Sequence, residues 1–261
     1  MAYFRIEYYS NALHRSTSFE MLIPNDYRLD LPVQEASPIP KKPMGTLFLL
    51  HGYTGKAGNW VPEELAAKYN FAIVMPTAEN SFYLNGLSTG HAFQTMVGEE
   101  MVDYVRRTFG LAKDRENTCI AGMSMGGFGA LHTALAYPDT FGKLAGLSSA
   151  LIVHGIAHMK PGADSGMGNY DYYRECFGDL ETVEQRDANP EVLALKRKAE
   201  GNLPEIFLAC GTEDFLLEPN REMHKFLTNA NIPHQYYESK GGHDMVFWNE
   251  YIVKAVKWMF G

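Results

Sequence analysis

The chain has 261 residues, 46% hydrophobic and 21% charged, which fits one globular domain whose core needs no disulfides or metals. Its formal net charge of −8 speaks against a surface built for nucleic acid or an anionic membrane. Three cysteines, Cys119, Cys176 and Cys210, form no CxxC pair; they read as small core residues of a protein kept in a reducing compartment. The N-terminus has no apolar segment behind a basic start, and no apolar run reaches the length of a membrane span. The expectation is therefore a cytoplasmic protein.

Two stretches with period-2 alternation open the chain, at 3–9 and 17–23, and predict β-strands. A loop containing Pro32, Pro38, Pro40 and Pro43 follows. Thr46-Leu47-Phe48-Leu49-Leu50 is then almost wholly apolar, the mark of a strand buried on both faces. Similar runs recur at 71–75, 118–121, 144–147 and 206–210, and a last strand is predicted at 235–238. Amphipathic, helix-length segments lie between and after them, at 61–69, 93–109, 125–137, 190–199, 220–228 and 243–259. Strands alternating with helices predict an α/β domain with a mostly parallel central sheet and helices on both faces. The stretch 150–203 carries no strand signal and is too long for a simple crossover. It reads as an excursion with short helices of its own: a partial lid beside a site, or a surface ornament or subunit contact. No repeat, low-complexity tract or second domain is visible.

Gly122-Met123-Ser124-Met125-Gly126-Gly127 is the central motif. It directly follows one predicted buried strand and directly precedes a predicted helix. That is the setting of a nucleophile elbow, in which a strained serine is raised above the sheet edge. A serine hydroxyl needs a base to take its proton. Of nine histidines, His243 stands out, because Gly241-Gly242-His243-Asp244 follows the last predicted strand and so lies over the same sheet edge. His132 falls inside the helix after the elbow, and His14, His154, His158, His224 and His234 have no comparable position. The base in turn needs a carboxylate to fix its tautomer. Glu213 and Asp214 both follow the penultimate strand, and Asp214 is favoured on reach. Asp244 is expected to cap a helix or face solvent. An oxyanion would be held by the backbone amides of Met125 and of Tyr53, the latter in the loop His51-Gly52-Tyr53-Thr54-Gly55. His51 is expected to brace that loop. Trp60, Tyr83, Phe93 and Trp248 are candidate walls of a substrate pocket, against the alternative of ordinary core packing.

The loop His51 to Gly55 with Asn59-Trp60, the elbow 122–127, the segment Gly211-Thr212-Glu213-Asp214-Phe215-Leu216, and Gly242-His243-Asp244 with Phe247-Trp248 occur in one order across most of the chain. Together they resemble the esterase D-like branch of α/β-hydrolases, and within it the tributyrin-esterase-like proteins. The resemblance implies the α/β-hydrolase fold, a triad in the chain order Ser124, Asp214, His243, and hydrolysis of short-chain acyl esters. It also implies a small-molecule ester as substrate, no metal or organic cofactor, and a dimer or tetramer. The group includes S-formylglutathione hydrolases, feruloyl and acetyl esterases and mycolyltransferases. S-formylglutathione hydrolases usually carry Leu-Thr-Cys in the first oxyanion loop, where this chain has Tyr53-Thr54-Gly55. An acyltransferase or thioesterase would use the same three residues with a different acceptor or substrate. A protein that only binds would not need them together.

Overall fold

A computed structural model describes residues 1–24 and 43–261; Pro32, Pro38 and Pro40 of the predicted loop lie outside the described residues. Among the described residues, eight strands form one sheet in the order β1-β2-β4-β3-β5-β6-β7-β8. They are β1 (Ala2–Ser10), β2 (Arg15–Ile23), β3 (Gly45–Leu50), β4 (Phe71–Pro76), β5 (Thr118–Met123), β6 (Lys143–Leu147), β7 (Glu205–Gly211) and β8 (Gln235–Ser239). The first two pair as an antiparallel hairpin, and β2 joins β4 antiparallel. From β4 onward every pairing is parallel. The alternating β1 sits at the sheet margin with every second side chain exposed, whereas β3 and β4 are buried throughout, as their apolar runs require.

Side-chain alternation in the central strands sorts the core into two layers. Leu47, Leu49, Ile73, Ala121 and Phe207 face α1 (Glu63–Tyr69) and α9 (Met245–Phe260). Phe48, Leu50, Val74, Ile120 and Leu208 face the opposite way, toward α3 (Met101–Phe109), α4 (Met125–Ala136) and α8 (Leu217–Asn229). This is the α/β-hydrolase arrangement. The helix predicted over 93–109 is continuous but not uniform: α2 (Phe93–Thr95) passes through a π-helical stretch, Met96–Glu100, into α3. Gly98 lies in that stretch, and a Cβ there would fall 2.2 Å from the Tyr137 ring, so the backbone is packed directly on it. The last helix begins two residues later than predicted. Asp244 caps it by accepting from the amides of Val246 and Phe247 at 2.9 and 3.1 Å, which leaves His243 in the preceding loop.

The excursion 150–203 adds no strand. It folds into α5 (Val153–Ile156), α6 (Tyr170–Phe177), a 3-10 turn (Val183–Gln185) and α7 (Pro190–Glu200). Cys119, Cys176 and Cys210 are buried free thiols. Among the described residues, no helix is long and apolar enough to cross a membrane.

Candidate active site

β5 delivers Ser124 to the carboxyl edge of the sheet and α4 starts immediately after it. The turn between them is tight enough to force Ser124 into φ 54°, ψ −121°, a backbone state that L-residues rarely hold. Two glycines make it feasible. A Cβ on Gly122 would lie 2.2 Å from the Gly126 carbonyl, and one on Gly126 would lie 2.5 Å from the Leu50 carbonyl. The elbow therefore closes only where strand, helix and the end of β3 can touch backbone to backbone.

β7 and β8, the last two strands of the sheet beyond β6, release the loops that carry Asp214 and His243 at the same edge. His243 Nε2 lies 3.0 Å from Ser124 Oγ, and its Nδ1 lies 2.9 and 3.1 Å from the two Asp214 carboxylate oxygens. The Asp214 side chain is fully buried, and Asp214 Oδ1 also accepts the Leu216 amide at 2.8 Å. Burial alone would raise its pKa. Donors from His243, the Leu216 amide and Ser148 outweigh that, so the carboxyl is held below its ordinary range. An ionised Asp214 fixes a proton on Nδ1 and leaves the Nε2 lone pair facing the serine hydroxyl. Glu213 is exposed and points its charge to solvent instead.

The first loop is also in place. A Cβ on Gly52 would lie 3.5 Å from Ser124 Cβ, which puts the backbone before Tyr53 against the nucleophile. Among the described residues, the amides of Tyr53 and Met125 take no acceptor. His51 braces this loop from beneath. Its Nε2 accepts the Ala78 amide at 3.0 Å, so Nδ1 carries the proton and donates to the Gly52 carbonyl at 2.8 Å. Both ring nitrogens are thus engaged, and burial lowers the His51 pKa.

A cavity of about 270 Å³ opens in front of Ser124. Its walls are apolar: Tyr53, Phe82 and Met125 on one side, Phe215 and Leu216 on another, and Ile152, Ile156, Met167 and Tyr172 from the excursion. None of the four predicted wall residues lines it. Tyr83 is wholly buried below the loop, where its hydroxyl donates to the His51 carbonyl at 2.9 Å. Trp60 packs among the residues of the α1 and α9 layer. Phe93 is buried under the Arg15 guanidinium, 5.6 Å above its ring. Trp248 supports the histidine, with its ring edge-on to His243 at 4.9 Å and Nε1 donating to Ser148 Oγ at 3.0 Å. Tyr83 and Trp60 are thus taken up by packing, whereas Phe93, though buried, lines a neighbouring cavity of about 290 Å³. Phe215 is one of the wall residues absent from the sequence-based expectation. It is 66% exposed, follows Asp214 directly, and holds its ring 4.5 Å from that of His243, so its adjacency to a candidate carboxylate was the available signal.

Comparison with known proteins agrees with this geometry. The family model described as "Putative esterase" matches residues 10–259. An acetyl esterase of Caldicellulosiruptor saccharolyticus is 39% identical over 264 residues, 99% of this chain and 98% of that protein. Two Staphylococcus aureus structures are each 28% identical. One is FphF, a fluorophosphonate-binding serine hydrolase solved with substrate bound, with a TM-score of 0.82 over 100% of this chain and 98% of the other. The second is the S-formylglutathione hydrolase FrmB, with a TM-score of 0.81 over 100% and 99%.

Proposed function

The chain belongs to the Esterase family, and from that premise we propose that it is a serine carboxylesterase that cleaves short-chain acyl esters through an acyl-enzyme intermediate. One observation carries the reading: His243 Nε2 stands 3.0 Å from Ser124 Oγ while Nδ1 stands 2.9 Å from a buried carboxylate. In the first half-reaction His243 takes the serine proton as Oγ bonds to the ester carbonyl carbon, and the carbonyl π pair moves onto its oxygen. The Tyr53 and Met125 amides stabilise that oxyanion, each contributing about 3 kcal/mol by analogy with single-donor deletions. Collapse breaks the bond to the alcohol oxygen, which leaves with the proton from His243. Water then repeats the sequence on the acyl-serine and releases the acid.

Within the family we place the chain in the esterase D-like, tributyrin-esterase-like branch. The name of its Caldicellulosiruptor relative supports a short acyl group, and the apolar cavity has room for a chain longer than acetyl. The excursion then serves as a fixed partial lid, since it supplies one wall of that cavity. A second reading, hydrolysis of a small thioester, is favoured by the likeness to the enzyme named S-formylglutathione hydrolase. The proposal includes a cytoplasmic setting, a small-molecule substrate, no cofactor, and a homodimer or homotetramer, the last checked by light scattering.

Ser124→Ala should lower kcat on p-nitrophenyl acetate by on the order of 10⁶-fold with the thermal midpoint little changed. Mass spectrometry of quenched wild-type enzyme should find the acyl group on Ser124. A variant that kept substantial turnover would refute the assignment.

A further inference from the structure

A cavity of about 360 Å³ shares no lining residue with the one in front of Ser124. His132 and Ala136 line it from α4, roughly two turns and more beyond the nucleophile. Leu193, Lys196 and Arg197 of α7 close it, together with the turn Arg186 to Ala188. The chain as a whole carries a net charge of −8, yet this lining is cationic. Arg186, Lys196 and Arg197 stand in it against the carboxylate of Asp187. Leu84, Leu87, Phe177 and Leu193 give it apolar surface as well.

Two of the three cations already have carboxylates. Lys196 Nζ lies 3.8 Å from Asp187 Oδ2, and Arg197 is paired with Glu200. Arg186 has no such partner among the described residues. Its Nη1 donates to the Phe177 carbonyl at 3.3 Å, and that end of the guanidinium lies on Gly178. A Cβ on Gly178 would come 2.4 Å from Nη1, so the glycine leaves the space in which the guanidinium is seated. The Nε–Nη2 edge of Arg186 keeps no acceptor among the described residues. That edge is a planar fork, the shape that engages both oxygens of a carboxylate. His132 adds no charge to the site. Its Nε2 donates to the Asp187 carbonyl at 2.8 Å, and burial pushes its pKa down to about 4. One positive charge is therefore left unbalanced beside apolar side chains.

We infer that this cavity is a second, non-catalytic site, which binds an organic monocarboxylate with an apolar body. One unbalanced charge calls for one carboxylate. A phosphate monoester would bring further negative charge to Lys196 and Arg197, which are already paired. Leu84, Leu87, Phe177 and Leu193 favour an alkyl chain behind the charged end. Acids of this class are what ester cleavage releases, and that link alone rests on the esterase reading. An occupant leaves Ser124 open to substrate, since the two cavities have no wall residue in common. It stands one ring away from the acyl cavity, because Phe177 meets Phe82, a wall of that cavity, at 4.9 Å.

The test titrates sodium hexanoate into protein with labelled isoleucine and leucine methyl groups, and its outcome does not depend on turnover. Nuclear Overhauser contacts from the hexanoate chain should appear at the methyls of Leu84, Leu87 and Leu193. 1-Hexanol, which has the same chain and no charge, should bind there about tenfold more weakly. Arg186→Gln should weaken hexanoate at those methyls by about fivefold or more. Asp187→Asn removes an exposed carboxylate and frees Lys196, while the backbone carbonyl that holds His132 remains. It should tighten hexanoate binding several-fold, a gain that damage to the fold would not produce. Contacts confined to Ile152, Ile156 and Leu216 would place the acid in the acyl cavity alone and overturn the inference. So would equal binding of hexanol, or an affinity that neither substitution changes. Loss of ester hydrolysis in Ser124→Ala bears only on the esterase reading, and its absence leaves the hexanoate result standing.

Discussion

Ser124, Asp214 and His243 stand on loops that leave strands already locked into the sheet, whereas Ile152, Gly155, Ile156, Met167 and Tyr172 stand on a segment that adds no strand. The first group is tied by buried or half-buried hydrogen bonds of 2.8 to 3.1 Å and by backbone contacts that exclude any side chain at Gly122 and Gly126. The second is held by apolar packing, by hydrogen bonds from the Tyr172 hydroxyl to the Asn80 carbonyl at 2.7 Å and from the Tyr53 hydroxyl to the Met167 carbonyl at 3.1 Å, and by ion pairs at the surface, His154 with Glu184 and Glu191, and His158 and Lys160 with Glu181. Surface pairs of this kind contribute at most about 1 kcal/mol each. The bond-making apparatus meets the wall at few points, chiefly the Ala150 amide on the Ser124 carbonyl at 2.9 Å and the Tyr53 hydroxyl on the Met167 carbonyl at 3.1 Å. Substitutions in the wall can change what is accepted without moving the three residues that react.

The most severe way to test that separation is Asp214→Asn. The amide can present its N–H to Nδ1 and so favour the tautomer with the proton on the serine side. We expect kcat on p-nitrophenyl acetate to fall by about 10⁴-fold while KM stays within a few-fold. Near-normal turnover would mean that another carboxylate orients His243. The complementary change lies in the wall. Gly155 lines the cavity, and a Cβ built on it meets nothing within 4 Å. Gly155→Phe should fill space needed by longer chains. Each buried methylene contributes about 0.8 kcal/mol, near fourfold, so losing room for two lowers the octanoate-to-acetate ratio of kcat/KM by tenfold or more. Acetate turnover should hold, and its collapse would show that wall and triad are coupled after all.

That division also explains what the sequence made legible. The strand–turn–helix around Ser124 and the two loops at the ends of β7 and β8 follow from local pattern plus the rule that parallel strands gather their loops on one edge. Gly52 and His51 could be read the same way, since a loop tucked under a nucleophile needs a close approach and a brace. The cavity wall could not. Ile152, Met167 and Tyr172 come from separate points of a segment with no periodic signal, and only its three-dimensional path brings them before Ser124. Of the aromatics expected there, Tyr83 belongs to the core, where it lies wholly buried, while Phe93 lines a neighbouring cavity. Trp248, expected as a pocket wall, is intermediate: it stands near the site but acts on the imidazole, not in the cavity wall.

Trp248→Phe sharpens the comparison from the triad side at a smaller scale. The ring edge that supports His243 remains, but the Nε1 donor to Ser148 is lost. Ser148 is itself one of the groups that hold the Asp214 carboxyl down. Removing one hydrogen bond of about 1 kcal/mol should lower kcat about fivefold, with chain-length preference unchanged. A shift in chain-length preference instead would place Trp248 in the wall.

The smallest effect belongs to the ion pairs behind the wall. Burial opposes charge on His154, but Glu184 and Glu191 outweigh it and raise its pKa above the ordinary 6.5. A raised histidine stabilises the fold fully below that ordinary value, and the contribution is lost as pH rises through the folded one. Glu181 is lowered by Lys160 and His158, and Glu184 by His154, so their contribution is complete above the ordinary 4.5 and fades as pH falls through the folded values. The clip is therefore whole between about pH 4.5 and 6.5 and loosens on either side. Amide exchange across 150–160, normalised to amides of β5 to remove the intrinsic pH dependence, should show more frequent opening at pH 8.5 than at pH 6. His154→Gln should flatten that difference without altering exchange in the loop of His243. Equal exchange at both pH values in the wild type would mean that apolar packing alone holds the wall, and that its polar rim is free to vary.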